Sequence, residues 1–222
     1  RRLHTTLILS IIFRTLLLVG CAMGVAHAFH HDGRGFMSGS GLLYYTIQSN
    51  LWVFLMTAVY LALSAATLIA GQVAIPRFVE VARFAVMVAI TITFLVFWIV
   101  LAPTMEKAYL LSRNNILVHT LVPLLFIADF FLFQTPAVLS MAEVLWSVVL
   151  PVCYLVFTLV NAAVNPKLKF DDGSRYPYFF LDADAHGWFG FQKGLGVCWW
   201  ILVMLGLTLG LGYLFRFLQT LG

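Results

Sequence analysis

The sequence predicts an all-α, polytopic membrane protein: a bundle of six transmembrane helices forming a single domain over residues 1–222. Three observations predict it. The chain is 62% hydrophobic and 10% charged, with mean hydropathy +0.98, where soluble domains run near one-half apolar and one-quarter charged. Its apolar residues gather into six stretches, each close to the roughly 20 residues that a helix needs to cross a bilayer. The stretches are parted by short segments rich in Gly, Pro and charge, and in hydrocarbon only a helix satisfies every backbone donor and acceptor from within its own segment.

The spans fall at residues 7–29, 45–70, 79–101, 116–133, 144–164 and 195–217. The first carries Arg14, which suits a retained span whose arginine snorkels or pairs within the bundle. Its Ala26-His27-Ala28 step imitates a signal-cleavage site. A His/Gly-rich loop precedes the second span, a turn around Pro76 the third, a segment with Glu106, Lys107 and Arg113 the fourth, and a turn around Pro136 the fifth. A long loop from Asn165 to Lys193 precedes the sixth. An even number of spans puts both termini on one side.

The net charge of +4 is spread over loops and span ends and forms no basic run with interleaved aromatics, so a nucleic-acid partner has no footprint. Anionic lipid headgroups account for it. Arg1, Arg2, Arg77, Arg83 and Arg216 on the terminal side nearly balance Arg34, Lys107, Arg113, Lys167, Lys169, Arg175 and Lys193 on the other, which leaves orientation open. Cys21, Cys153 and Cys198 are odd in number and lie in apolar stretches, where free cysteines behave as small hydrophobes; neither a disulfide framework nor a cysteine metal site is expected.

Polar groups at membrane depth are costly unless paired and so carry the functional information. Thr46 lies about one turn into the second span and His119 about one turn into the fourth, and both spans enter from the same side, so the two share a depth. Asn50 follows Thr46 at i+4 and Asn115 precedes His119 at i−4, which puts an amide on each helical face. A threonine hydroxyl becomes a nucleophile when a neutral imidazole takes its proton, and such a pair attacks an ester. The bland alternatives are a hydroxyl bonded to its own i−4 carbonyl and a histidine that joins helices.

Asp129 lies about ten residues beyond His119, on the order of 15 Å deeper. It either pairs with Arg14 or Arg83, or serves with His119 in a proton-coupled carrier or small-molecule binder. His27, His30, His31 and Asp32 have the look of metal ligands, and a metal-dependent hydrolase would draw on His27, His31, His119 and His186. The long loop holds Tyr176-Pro177-Tyr178-Phe179-Phe180-Leu181-Asp182, an aromatic density that suits a headgroup belt or a lid over the entrance between spans two and four.

The Tyr45-Thr46 step with Asn50, the Asn115 to His119-Thr120 run followed by Pro123, and the Tyr178 to Asp182 segment resemble the androgen-induced membrane proteins, the family of the androgen-dependent TFPI-regulating protein and bacterial six-span relatives. The resemblance implies a six-span threonine hydrolase of fatty acid esters of hydroxy fatty acids, without a cofactor or metal, with Thr46 as nucleophile and His119 as base. Asn50, Asn115 or Asp182 would support the site or donate to the oxyanion. Trp52, Phe126, Tyr178 and Phe180 would bind the lipid ester by burial at about 0.8 kcal/mol per methylene. Phe179 stands where relatives carry a proline, a change that bears on the choice of substrate. A bacterial inner membrane is the expected residence, ahead of the endoplasmic reticulum.

Overall fold

A computed structural model describes residues 2–30, 40–133, 137–170, 172–192 and 194–221. Among them, six helices are long and apolar enough to span a membrane: α1 (Arg2–His30), α2 (Tyr45–Ala70), α3 (Arg77–Thr104), α4 (Arg113–Leu132), α5 (Met141–Val164) and α6 (Val197–Gln219). The chain is therefore an integral multi-pass membrane protein with an all-α fold, and each helix overlaps its expected span.

The helix at the centre is α3. All eleven residues from Arg83 to Thr93 are buried, and one helix is covered on every side only when neighbours ring it. The other helices turn Ile, Leu, Val and Phe outward in numbers that only lipid tolerates, such as Ile12, Leu16, Ile69 and Leu132. Small residues let the backbones close up. A Cβ on Gly24 of α1 would stand 2.5 Å from Val118 of α4, and one on Gly212 of α6 would stand 2.9 Å from Val144 of α5.

Three spans depart from α geometry just before a proline. Phe97–Leu101 in α3 is a π turn followed by Pro103, Leu117–Leu121 in α4 is a π turn followed by Pro123, and Leu145–Val148 in α5 is a 3₁₀ turn followed by Pro151. A proline lacks the N–H that would bond the carbonyl four residues back, and its ring crowds that carbonyl. The upstream turn changes pitch to relieve the clash. Two of these turns meet at the candidate site.

Deep in the bundle Asp129 binds two arginines. Arg14 Nε donates to Oδ1 at 2.8 Å and Arg83 Nη2 to Oδ2 at 2.6 Å, and all three side chains are within a few per cent of full burial. Both guanidiniums lie over the Tyr60 ring, at 5.4 and 4.1 Å, and Arg14 also reaches Ser64. Pairing with one arginine or the other is the expectation; the structure shows both, so Asp129 locks α1, α3 and α4 together.

At the end of the bundle opposite the long loop, Arg77 binds Glu80 and Glu143, and Glu143 forms a capping box with Ser140. This ties the start of α3 to the start of α5.

Candidate active site

The second helix opens at Tyr45, after an extended Tyr44 whose side chain makes no cap. Thr46 thus sits in the first turn, where the helix has no carbonyl four residues back to occupy a hydroxyl. Thr15, Thr67, Thr91, Thr93 and Thr208 all turn their hydroxyls to the i−4 carbonyl, the habit of membrane threonines. Thr46 does not: its Oγ1 lies 3.0 Å from His119 Nε2, and both residues are buried.

The His119 ring is oriented through its other nitrogen. Nδ1 stands 3.2 Å from the Asn115 carbonyl oxygen, which can only accept, so Nδ1 carries the proton and Nε2 of the neutral ring presents its lone pair to Thr46. Phe97 stacks on the imidazole at 3.7 Å and 20°. The imidazole and the ring that supports it both stand on π turns, an irregularity frequent at functional sites. Trp98 Nε1 donates to Thr120 at 2.9 Å and holds the two turns side by side.

Asn50 and Asn115 occupy the expected faces, and their amide nitrogens support the site. Asn50 Nδ2 donates to the Thr46 carbonyl at 2.8 Å and to the Val118 carbonyl at 3.1 Å, so both its N–H groups are spent on bracing α2 against α4. Asn115 Nδ2 donates to the Leu110 carbonyl at 3.0 Å. The free ends of both amides, Oδ1, are buried and unpartnered, and an acceptor cannot stabilise an oxyanion. Ser49 completes the brace, with Oγ 3.0 Å from the Thr46 carbonyl and 2.7 Å from Thr93 Oγ1.

Beside the pair lies an apolar cleft of about 100 Å³, bounded by Thr46, Phe97, Tyr154, Trp200, Tyr178 and Phe180 among others. Tyr178 and Phe180 therefore stand where a substrate would lie. Trp52 and Phe126 do not, and that expectation is corrected: Phe126 is 1% exposed within the packed core, and Trp52 lies behind Tyr45, edge-on to it at 5.8 Å, facing a separate groove between α2, α3 and α5.

The long loop packs as an aromatic cover on α2, α5 and α6, not between spans two and four. Tyr178 stacks on Phe180 at 5.1 Å and 3° and meets Tyr44 and Tyr154 edge-on or tilted, and Phe180 packs on Trp200. Asp182 shapes this cover: it accepts from the backbone N–H groups of Asp184 and Ala185 and from Ser174 Oγ. It supports the loop and has no hydrogen bond to Thr46 or His119.

The metal alternative finds no support in the geometry. Both nitrogens of His119 are engaged, and among the described residues no three His, Cys, Asp or Glu side chains converge as an ion would require; the side chain of His30, and His31 and Asp32 entirely, lie outside what the structure describes. In the carrier alternative, Asp129 would act while held by the guanidiniums of Arg14 and Arg83. Phe97, Thr93 and Tyr154 are candidate-site residues that sequence reasoning missed; Pro103, six residues beyond Phe97, is the signal that marks the irregular turn.

Comparison with protein-family models, with curated proteins and with solved structures gives no match for this chain.

Proposed function

We propose that the protein is an intramembrane hydrolase of lipid esters that works through an acyl-threonine. The observation that carries the reading is the 3.0 Å hydrogen bond between the Thr46 hydroxyl and His119 Nε2 beside an apolar cleft. His119 draws the proton from Thr46, Oγ1 adds to the ester carbonyl, and the tetrahedral intermediate collapses as the imidazolium returns that proton to the leaving alcohol. Water then adds to the acyl-threonine by the same base, and the acid departs. Proton transfer of this kind typically contributes about 10²- to 10⁴-fold. No step calls for a cofactor.

The depth of the pair supports a lipid substrate, since a nucleophile about one turn below the headgroups is reached from the acyl region more readily than from water. Fatty acid esters of hydroxy fatty acids are the proposed class, following the family that the motifs resemble, with a bacterial inner membrane as the proposed residence. The test is ester cleavage by purified protein together with intact mass after treatment with a long-chain fluorophosphonate. A single adduct on Thr46, lost in Thr46→Ala and in His119→Ala, supports the reading. Full cleavage by either variant refutes it.

A further inference from the structure

An ester hydrolase has to stabilise the negative charge that develops on the carbonyl oxygen, and neither of the two amides nearest the pair lines the cleft: Asn50 has spent both N–H groups on backbone carbonyls, and Asn115 has given one of its two to Leu110. The donors that remain near Thr46 lie on the other side of it. Tyr45 and Thr46 open a helix of 26 residues, so their backbone N–H groups have no partner within it and mark its positive end. Tyr178 of the aromatic loop packs against Tyr44, the residue before that helix start, with ring centroids 6.1 Å apart. It shares the wall of the apolar cleft with Thr46.

We propose that Tyr178 is a catalytic residue of the ester hydrolysis, its hydroxyl donating to the oxyanion formed when Thr46 adds to the substrate carbonyl. The inference rests on the hydrolase reading above. The direction of donation follows from the pair itself. Nδ1 of His119 is committed to Asn115, so the Thr46 proton goes to Nε2 and Oγ1 keeps its lone pairs for a donor. As Oγ1 bonds to the carbonyl carbon, the C=O π pair moves onto oxygen. That oxygen is then bound to the same carbon as Oγ1, in the small cleft whose wall Tyr178 shares with Thr46. Tyr178 keeps its proton throughout and nothing is transferred from it.

The arrangement is preorganised, which is what makes such donors effective. The Tyr178 ring is held by the parallel stack on Phe180 and by Tyr44 and Tyr154. Burial pushes its hydroxyl above the usual phenol range, so it is protonated at neutral pH. One consequence is structural: the site is complete only while the loop covers it, since the oxyanion donor belongs to the cover and the nucleophile to the bundle.

The test uses the full chain in detergent or nanodiscs, with a long-chain fluorogenic ester as substrate and a long-chain trifluoromethyl ketone as tetrahedral mimic. In Tyr178→Phe, which keeps the ring stack, kcat is expected to fall about 100-fold with KM changed by less than about threefold. Inhibition by the ketone should weaken by a factor similar to the loss in kcat. A kcat within about threefold of the parent, or a Phe180→Leu variant that loses turnover and ketone affinity just as Tyr178→Phe does, overturns the assignment and leaves ring packing as the role. Replacing Tyr178 with 3,5-difluorotyrosine keeps ring and hydroxyl but makes the hydroxyl more acidic. The alkaline limb of kcat against pH should then move to lower pH, and an unmoved limb overturns the proposal independently of how stable the Phe variant is. Thr46→Ala is run alongside: activity retained there ends the hydrolase reading and this proposal together, whereas activity lost there and kept in Tyr178→Phe ends this proposal alone.

Discussion

The Thr46 hydroxyl and His119 Nε2 meet at 3.0 Å across 73 positions of sequence, and the backbone carbonyl of Asn115 decides which of the two gives up a proton. If the pair is the reactive centre, Thr46→Ala and His119→Ala should each lower ester turnover by at least about 10³-fold, and the double variant should lose little more than either single one, because residues that act as a unit are not additive. Thr46→Ser keeps an oxygen nucleophile and should retain measurable turnover. Kinetics on the three variants and the double variant check this; additive losses would mean that the two side chains work independently.

Asn50 holds this pair together without touching its reactive atoms. Its amide bridges the Thr46 carbonyl on α2 and the Val118 carbonyl on α4, one residue from His119. Asn50→Leu removes both bonds and leaves the buried Val118 carbonyl short of a donor, at a cost of about 1–3 kcal/mol, while Ser49 still donates to the Thr46 carbonyl. A lower melting temperature is expected, with turnover reduced more than KM is raised, since the reacting groups and not the cleft are displaced. A variant with unchanged melting temperature and turnover would show the brace to be dispensable.

Much of this was legible before any coordinates, and the reason is geometric. Counting spans puts Thr46 and His119 at one depth whatever the orientation, and the cost of polar groups in lipid singles out Asp129 and Arg14. The faces of the helices were not legible. In a soluble helix the apolar stripe marks the core, but in a membrane lipid and core are equally apolar: Phe97 is 2% exposed and Ile99 two positions on is 68% exposed, and nothing in their chemistry separates them. That is why Trp52 and Phe126 read as cleft residues and are not. Which of the two expected roles the amides take, support or donation to an oxyanion, was not legible either, because a side chain's donors cannot be assigned until the carbonyls around it are placed.

Asp129, between Arg14 and Arg83, sets a stability prediction. Asp129→Ala strands two guanidiniums in the bundle, and removing one partner from a buried ionic group typically costs about 3–5 kcal/mol. Thermal unfolding in detergent should show a large drop. Replacing all three residues by Met or Leu of similar bulk should restore most of it, because the desolvation of the ions is removed along with their attraction. If the triple replacement is as unstable as Asp129→Ala, the cluster does something that packing cannot replace.

The aromatic cover is tied down by Arg175, which grips Asp184 with two hydrogen bonds of 2.8 and 2.7 Å. The bond from Arg175 holds the Asp184 carboxyl below its usual range. A carboxylate with a depressed folded-state pKa contributes stability at all pH values above its unfolded value, about 3.9, and loses it only as pH falls through the lower folded value. Hydrogen exchange across residues 172–186, corrected for intrinsic rates, should therefore be flat from about pH 8 to 5 and rise only below about pH 4. Loosening that begins near neutrality would assign the clasp to another group.

Pro123 makes the sharpest case for geometry over stability. It has no N–H for the His119 carbonyl four residues back, and the π turn Leu117–Leu121 that carries His119 lies directly before it. Pro123→Ala supplies the missing donor, so the turn is free to tighten to α pitch. Losing the extra residue of a π turn rotates everything on one side of it by about 100°, which would swing the imidazole off Thr46. Proline inside a helix costs about 3 kcal/mol relative to alanine, so the variant should melt at an equal or higher temperature while ester turnover drops by at least about tenfold. Melting and turnover measured on the same preparation decide it. Turnover equal to the parent's in a better-melting variant would mean that the irregular turn does not position His119.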